Sequence, residues 1–184
     1  MVCDAGVAMM LPKPLADTSA KIEAQRGRLI DALSGLAPED TTRSPGPERW
    51  NAAQVVDHLL IAEGFTNDIT KMMVEKATTA GEATGFPPDL EAFDPLPPPL
   101  GMDAPPPIRP RQELPPEELI AALQAMSERS MASLESLAAV DPRKYRMAHP
   151  LFGELDLGQW WDVHPGHYAM HIAQAQDALK GASA

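Results

Sequence analysis

The chain has 184 residues, enough for one ordinary domain or at most two small ones, with a core that needs no staples. Its 15 Lys and Arg against 26 Asp and Glu give a net charge of −11, which repels phosphate backbones and anionic headgroups alike and argues against nucleic-acid and membrane partners. With 44% hydrophobic and 22% charged residues the chain is too apolar for disorder throughout, yet no run approaches the roughly eighteen apolar residues of a membrane span.

The only cysteine, Cys3, cannot form an internal disulfide, and the first fifteen residues lack a basic region leading into a long apolar stretch, so the cytoplasm is the expected compartment. Residues 1–15 are expected to be a flexible N-terminus. The first predicted helix runs from about Asp17 to Leu36, with Ile22, Leu29, Ile30, Leu33 and Leu36 on one stripe and Lys21, Glu23, Arg26, Arg28 and Asp31 mostly elsewhere. Pro38 and the run Ser44-Pro45-Gly46-Pro47 forbid its continuation. A second helix, capped by Asn51, carries Val55, Leu59, Ala62, Phe65, Ile69, Met72 and Met73 on a common face to about Lys76.

Proline then dominates, since 12 of the 20 prolines fall between Pro87 and Pro116, about twice ordinary usage over the whole chain. Residues 78–115 read as a crossover loop. Its interspersed Phe86, Leu90, Phe93, Leu96, Leu100 and Ile108 favour docking on the helices over a free polyproline linker, and it can wall one end of a pocket. The third helix opens with Pro115-Pro116-Glu117-Glu118 and carries Leu119, Leu123, Met126, Leu134 and Leu137 at helical spacing until Asp141-Pro142. A fourth covers Leu157 to Lys180, opened by an Asp156/Gln159 capping box and stopped by Gly181. Its one irregularity is Pro165, which predicts a kink near Trp161 or a restart with proline in the first turn. Strand patterning is absent, so the fold class is all-α. Short connections after the first and third helices and a long one after the second predict an up-down-down-up four-helix bundle, one domain spanning residues 1–184.

The chemistry concentrates in histidine. His167 and His171 are four apart, which stacks two imidazoles on one helical face at a separation able to chelate a metal ion. His58 shares an arc of about 80° with Val55, Ala62, Phe65 and Ile69, so it faces the interior of the second helix. On the fourth helix Trp160, His167, His171, Gln174 and Ala178 fall together, an inward face that is costly unless its polar groups are satisfied. Three convergent histidines without cysteine or paired carboxylate suit a divalent ion such as Zn or Ni with positions left for water or substrate; a buried, water-filled histidine network is the alternative. Asp57, Glu63 and Asp162 project away from the histidine faces. His164 either adds a fourth ligand or, biased by Pro165, points away. His149 either pins its loop by a hydrogen bond or lines the pocket. The methionines, Met72, Met73, Met126 and Met131 among them, read as core gap-fillers, and Trp160 and Trp161 as packing.

Arg49-Trp50-Asn51-Ala52-Ala53-Gln54-Val55-Val56-Asp57-His58-Leu59 resembles the second-helix signature of the DinB/YfiT-like superfamily. The run from His149-Pro150-Leu151-Phe152-Gly153-Glu154-Leu155 through Trp160-Trp161 to His167-Tyr168-Ala169-Met170-His171-Ile172-Ala173-Gln174 is similar to that family's fourth-helix motif. The resemblance covers residues 16 to 180. It implies an up-down-down-up bundle, often dimeric, with a metal triad at His58, His167 and His171. Its thiol S-transferases imply a low-molecular-weight thiol cosubstrate activated by the ion and presented to an electrophile. A hydrolase, with water activated in the same way, fits the residues too. The rival from another class is a non-enzymatic dimeric bundle with a structural metal or histidine cluster.

Overall fold

The computed structural model describes residues 10–97 and 104–180. Four long helices dominate: α1 (Lys13–Leu33), α3 (Ala52–Thr79), α4 (Pro116–Leu137) and α5 (Leu157–Lys180), with a five-residue α2 (Pro38–Thr42) between the first two. Cys3, Leu100 and Gly181 lie outside the described residues. Helix α1 begins earlier than the periodicity predicts, and Leu15 is fully buried, so the expected flexible N-terminus does not extend through residue 15. Prolines at its first positions need no intrahelical donor and admit the early start.

Capping fixes the two helices that carry the histidines. The Asn51 carboxamide oxygen accepts from the Gln54 N–H (2.9 Å), Gln54 Oε1 accepts from the Asn51 N–H (3.0 Å), and Asn51 Nδ2 donates to the Thr42 carbonyl. The reciprocal pair Asp156/Gln159 does the same for α5, so two orphan donors are satisfied at each start.

The helices enclose a core of Leu15, Ile22, Leu29 and Leu33 from α1, Val55, Val56 and Leu59 from α3, Leu119, Leu123, Leu134 and Leu137 from α4, and Trp161, Tyr168 and Ile172 from α5. Phe65 and Met72, predicted on the core face, are 48% and 53% exposed, and Met131 is 38% exposed. A 28-residue helix drifts about its axis relative to its neighbours, so one stripe cannot remain inward along its whole length.

A polar layer crosses the middle of this core. Glu63 accepts from Arg26 Nη2 (2.5 Å), Ser130 Oγ (2.6 Å) and the Tyr168 hydroxyl (2.7 Å), and Arg26 is also paired with Glu23. Arg26 and Glu63 are both fully buried, so Arg26 does not lie with the solvent-facing residues of the first helix. Its spacing from Ile22, Leu29 and Leu33 is a core spacing. Thr18 Oγ1 donates to Asp162 Oδ1 between α1 and α5, and Ser133 Oγ donates to Asn67 Oδ1 between α4 and α3.

Helix α5 runs through Pro165 without restarting. The lost backbone bond is offset by cross-links to α3 just before the proline, where Trp161 Nε1 donates to Thr70 Oγ1 (3.0 Å) and His164 Nε2 bonds Thr66 Oγ1 (2.9 Å), with the buried Tyr168 just after it. The all-α reading needs one amendment. Arg146–His149 (β1) and Gly153–Asp156 (β2) form an antiparallel hairpin with His149 opposite Gly153, where Gly153 has φ +71°. Four-residue strands are too short for alternation to be read against a helical background.

The proline-rich stretch is docked where it is described. Phe86, Phe93, Leu96 and Leu114 pack on the core, Gln159 Nε2 donates to the Asp94 carbonyl, and Asp57 Oδ2 accepts from the backbone N–H groups of Arg111 (2.6 Å) and Gln112 (3.2 Å). Among the described residues no helix is long and apolar enough to cross a membrane.

Candidate metal centre

One imidazole comes from α3 and two come from successive turns of α5. His58 Nε2 lies 3.0 Å from His167 Nε2, the ring centroids of His58 and His171 and of His167 and His171 are each 4.7 Å apart, and one donor nitrogen from each of the three lies within 4.8 Å of the others. Nitrogens at bonds of about 2.05 Å on tetrahedral zinc stand roughly 3.3 Å apart. The three rings therefore need only small adjustments to share an ion.

Two acceptors set which nitrogens face inward. The Ile108 carbonyl lies 2.6 Å from His58 Nδ1, and Gln174 Oε1 lies 2.7 Å from His171 Nδ1. Each Nδ1 therefore carries the proton and each Nε2 presents a lone pair to the centre, the arrangement that orients and strengthens an imidazole ligand. The Ile108 grip is reinforced next door, because Asp57, adjacent to His58, holds the N–H groups of Arg111 and Gln112. Trp50 covers the cluster, tilted over His58 at 4.9 Å and stacked at 6.3 Å on His171.

Burial and mutual repulsion keep these rings neutral. Burial, then the charges of His171, His164, His58 and His149, pushes His167 down to about 2. Burial and His58 push His171 down to about 4, and burial lowers His58 against the opposing pull of the Ile108 carbonyl. At neutral pH no proton has to leave before the lone pairs can bind a cation.

The two remaining histidines stand apart. His164 is buried and bonded to Thr66, with Nδ1 unpartnered among the described residues, and it is not one of the three that converge. His149 does both things foreseen for it: Nδ1 accepts from the Leu151 N–H (3.1 Å), pinning the hairpin turn, and its ring lines a cavity against Trp160. Burial first, then His164, lowers it to about 4. Asp57, Glu63 and Asp162 are engaged elsewhere, as the spacing indicates.

Two spaces meet at His167. One is an apolar chamber of about 170 Å³ lined by Ala62, Phe65, Trp160 and Val163 with Thr66 and His164. The other is an open cleft of about 650 Å³ bordered by Glu48, Arg49, Trp50, Arg109 and Gln174 as well as by all three clustered histidines. Glu48, Arg49 and Arg109 had no role assigned from sequence, although Arg49 opens the Trp50 signature and Glu48 adjoins it. The Ile108 carbonyl was not legible either, because a main-chain acceptor leaves no trace in residue type. Glu48 sits at φ +57°, a conformation that costs a non-glycine residue and is often found at functional sites.

A family model described as the DinB superfamily matches residues 21–175. The chain belongs to the DinB superfamily. This DinB protein is 24% identical over 152 residues to an uncharacterized protein, YuaE, of Bacillus subtilis (strain 168), covering 79% of this chain and 86% of that one. Among solved structures it is similar to TT2238, a four-helix bundle protein, at 21% identity and a TM-score of 0.56 over 88% of this chain and 98% of that chain. That likeness supports the bundle fold of this DinB protein.

Proposed function

We propose that His58, His167 and His171 hold one divalent ion, Zn or Ni, in an open site that serves a small-molecule reaction, with transfer of a low-molecular-weight thiol to an electrophile as the leading chemistry. The observation that carries this reading is the convergence of three nitrogens within 4.8 Å, two of them on rings whose Nδ1–H is tied outward. A bound ion would supply Lewis acidity, drawing down the pKa of a thiol or of water offered to it. The chain's own residues do the rest: Ile108 and Gln174 fix the ring tautomers, Trp50 shields the cluster, and the cleft admits the substrate.

Thiol transfer is favoured over hydrolysis because Asp57, Glu63 and Asp162 are committed to other partners. Glu48 on the cleft wall is the observation that keeps hydrolysis as the second reading, as the one carboxylate lining that space among the described residues. A non-enzymatic structural site would want a fourth protein ligand, and the engagement of His164 with Thr66 argues against it. The order of contacts supports an up-down-down-up bundle with the proline-rich stretch between α3 and α4 as its crossover. Thr18 with Asp162 and Arg26 with Tyr168 advance together along α1 and α5. Glu63 with Ser130 and Asn67 with Ser133 advance together along α3 and α4, whereas Thr70 with Trp161 and His58 with His167 run opposed. We also propose that the protein is a homodimer.

Elemental analysis of untagged protein after zinc or nickel loading and dialysis tests the centre. Close to one ion per chain is expected for wild type and for His149→Ala and His164→Ala, against sharply reduced occupancy in His58→Ala, His167→Ala and His171→Ala with helicity retained. Less than about 0.1 ion per chain in wild type, with a melting curve indifferent to chelator, would remove the metal reading and the enzyme reading with it.

A further inference from the structure

The chamber and the cleft differ in chemistry, and they share Pro105, Ile108, Leu151 and His167. Among the described residues the chamber's carbon-rich walls carry no Asp, Glu, Lys or Arg, and burial holds His149 down to about 4. Its volume of about 170 Å³ is close to that of an apolar protein cavity of about 150 Å³ that accommodates benzene. A naphthalene-sized group does not fit such a space. The cleft is the opposite. Among the described residues on its wall Arg49 and Arg109 outnumber Glu48, in a chain whose net charge is −11. The Arg109 Nε–H donates to the Ala104 carbonyl (3.0 Å), which fixes the stem of the side chain, while its terminal nitrogens have no hydrogen bond among the described residues. A planar fork held in this way suits a carboxylate.

We propose that the centre takes a two-part ligand: a carboxylate-bearing part in the Arg49/Arg109 cleft, and an uncharged group no larger than a benzene ring in the Ala62/Val163 chamber, the two joined beside His167. The proposal rests on the thiol-transfer reading only for the atom at the join, which would be sulfur. The chamber sets the size and neutrality of the electrophile, and the cleft sets the charge of the thiol.

The test is calorimetric titration of zinc-loaded and chelator-treated protein with S-benzyl-N-acetylcysteine, its S-methyl and S-(2-naphthylmethyl) analogues, and S-benzyl-N-acetylcysteamine, which lacks only the carboxylate. The benzyl compound should bind at least tenfold more tightly than the methyl and naphthylmethyl compounds. Ala62→Phe, which fills the chamber, should remove the benzyl advantage without changing zinc content. Arg49→Gln with Arg109→Gln should weaken the carboxylated ligands about tenfold and leave S-benzyl-N-acetylcysteamine unchanged. Equal binding of benzyl and naphthylmethyl compounds, or a benzyl advantage that survives Ala62→Phe, would overturn the proposal. The naphthylmethyl comparison needs no variant, so it decides even if Ala62→Phe fails to fold. Because the ring preference belongs to the chamber, it should persist after chelation. Failure of zinc loading with the preference intact removes the metal and enzyme readings and leaves the two-part ligand site standing, and zinc loading without the preference removes this proposal alone.

Discussion

Gln174 touches the centre through a single atom, yet that atom decides which nitrogen of His171 is free. With Oε1 accepting from the Nδ1–H at 2.7 Å, Nε2 is the nitrogen left with a free lone pair. Gln174→Ala removes the acceptor, lets the ring turn and change tautomer, and should weaken zinc binding by roughly ten- to a hundredfold with helical content unchanged. Gln174→Glu keeps an acceptor and should retain most of the affinity. Competition with a chromophoric chelator measures both, and an unaltered affinity in the alanine variant would show that the tie is incidental. Gln174 was legible in the sequence because it lies three residues past His171 on the same face. The corresponding support for His58 was not, since it is the carbonyl of Ile108, fifty residues away. Arg26 was misplaced for a different reason: charge outweighed spacing, and only the structure shows the Glu63 carboxylate that makes its burial tolerable.

At the scale of elements, the sequence carried the four long helices and the caps of α3 and α5, because amphipathic periodicity over twenty residues, an Asn cap and an Asp/Gln box are strong local signals. It did not carry the continuity of α5 through Pro165, which depends on cross-links to Thr66 and Thr70, nor the four-residue strands. Docking of the proline-rich stretch was foreseen from its apolar residues, and its anchoring point is Gly158. A Cβ at Gly158 would fall within contact of the Phe93 ring, so the ring lies on bare backbone in the first turn of α5. Alanine is the better helix former by about 1 kcal/mol. Gly158→Ala should nevertheless lower the melting temperature by several degrees, because Phe93 must leave its seat. Phe93→Ala should also destabilise, and the double variant should be no worse than the poorer single one, since both act on one contact. A rise in melting temperature in Gly158→Ala would mean that this contact contributes little to docking.

For the whole molecule, the apolar surface left uncovered points to a second copy. Phe65 and Met72 stand exposed on α3 with Ile69 between them, and with Met147, Ala148 and Trp160 they border a groove of about 410 Å³. Its one acidic residue among the described residues, Asp68, is already paired with Arg129 at 2.6 Å, so burying this face does not strand that carboxylate. A two-fold axis would bring the same patch onto itself, which lets one stripe serve both subunits despite the high net charge. Phe65 also lines the chamber behind His167, so a partner seated here would pack against one of the chamber's wall residues. Light scattering at micromolar concentration should give about 40 kDa, twice the chain mass of 19.8 kDa, as expected for a closed dimer. Phe65→Asp with Met72→Asp should halve that mass and leave zinc content unchanged, because neither side chain contributes a donor to the centre. A wild-type mass of one chain would exclude the dimer, and a dimer that survives both substitutions would place its interface on another face.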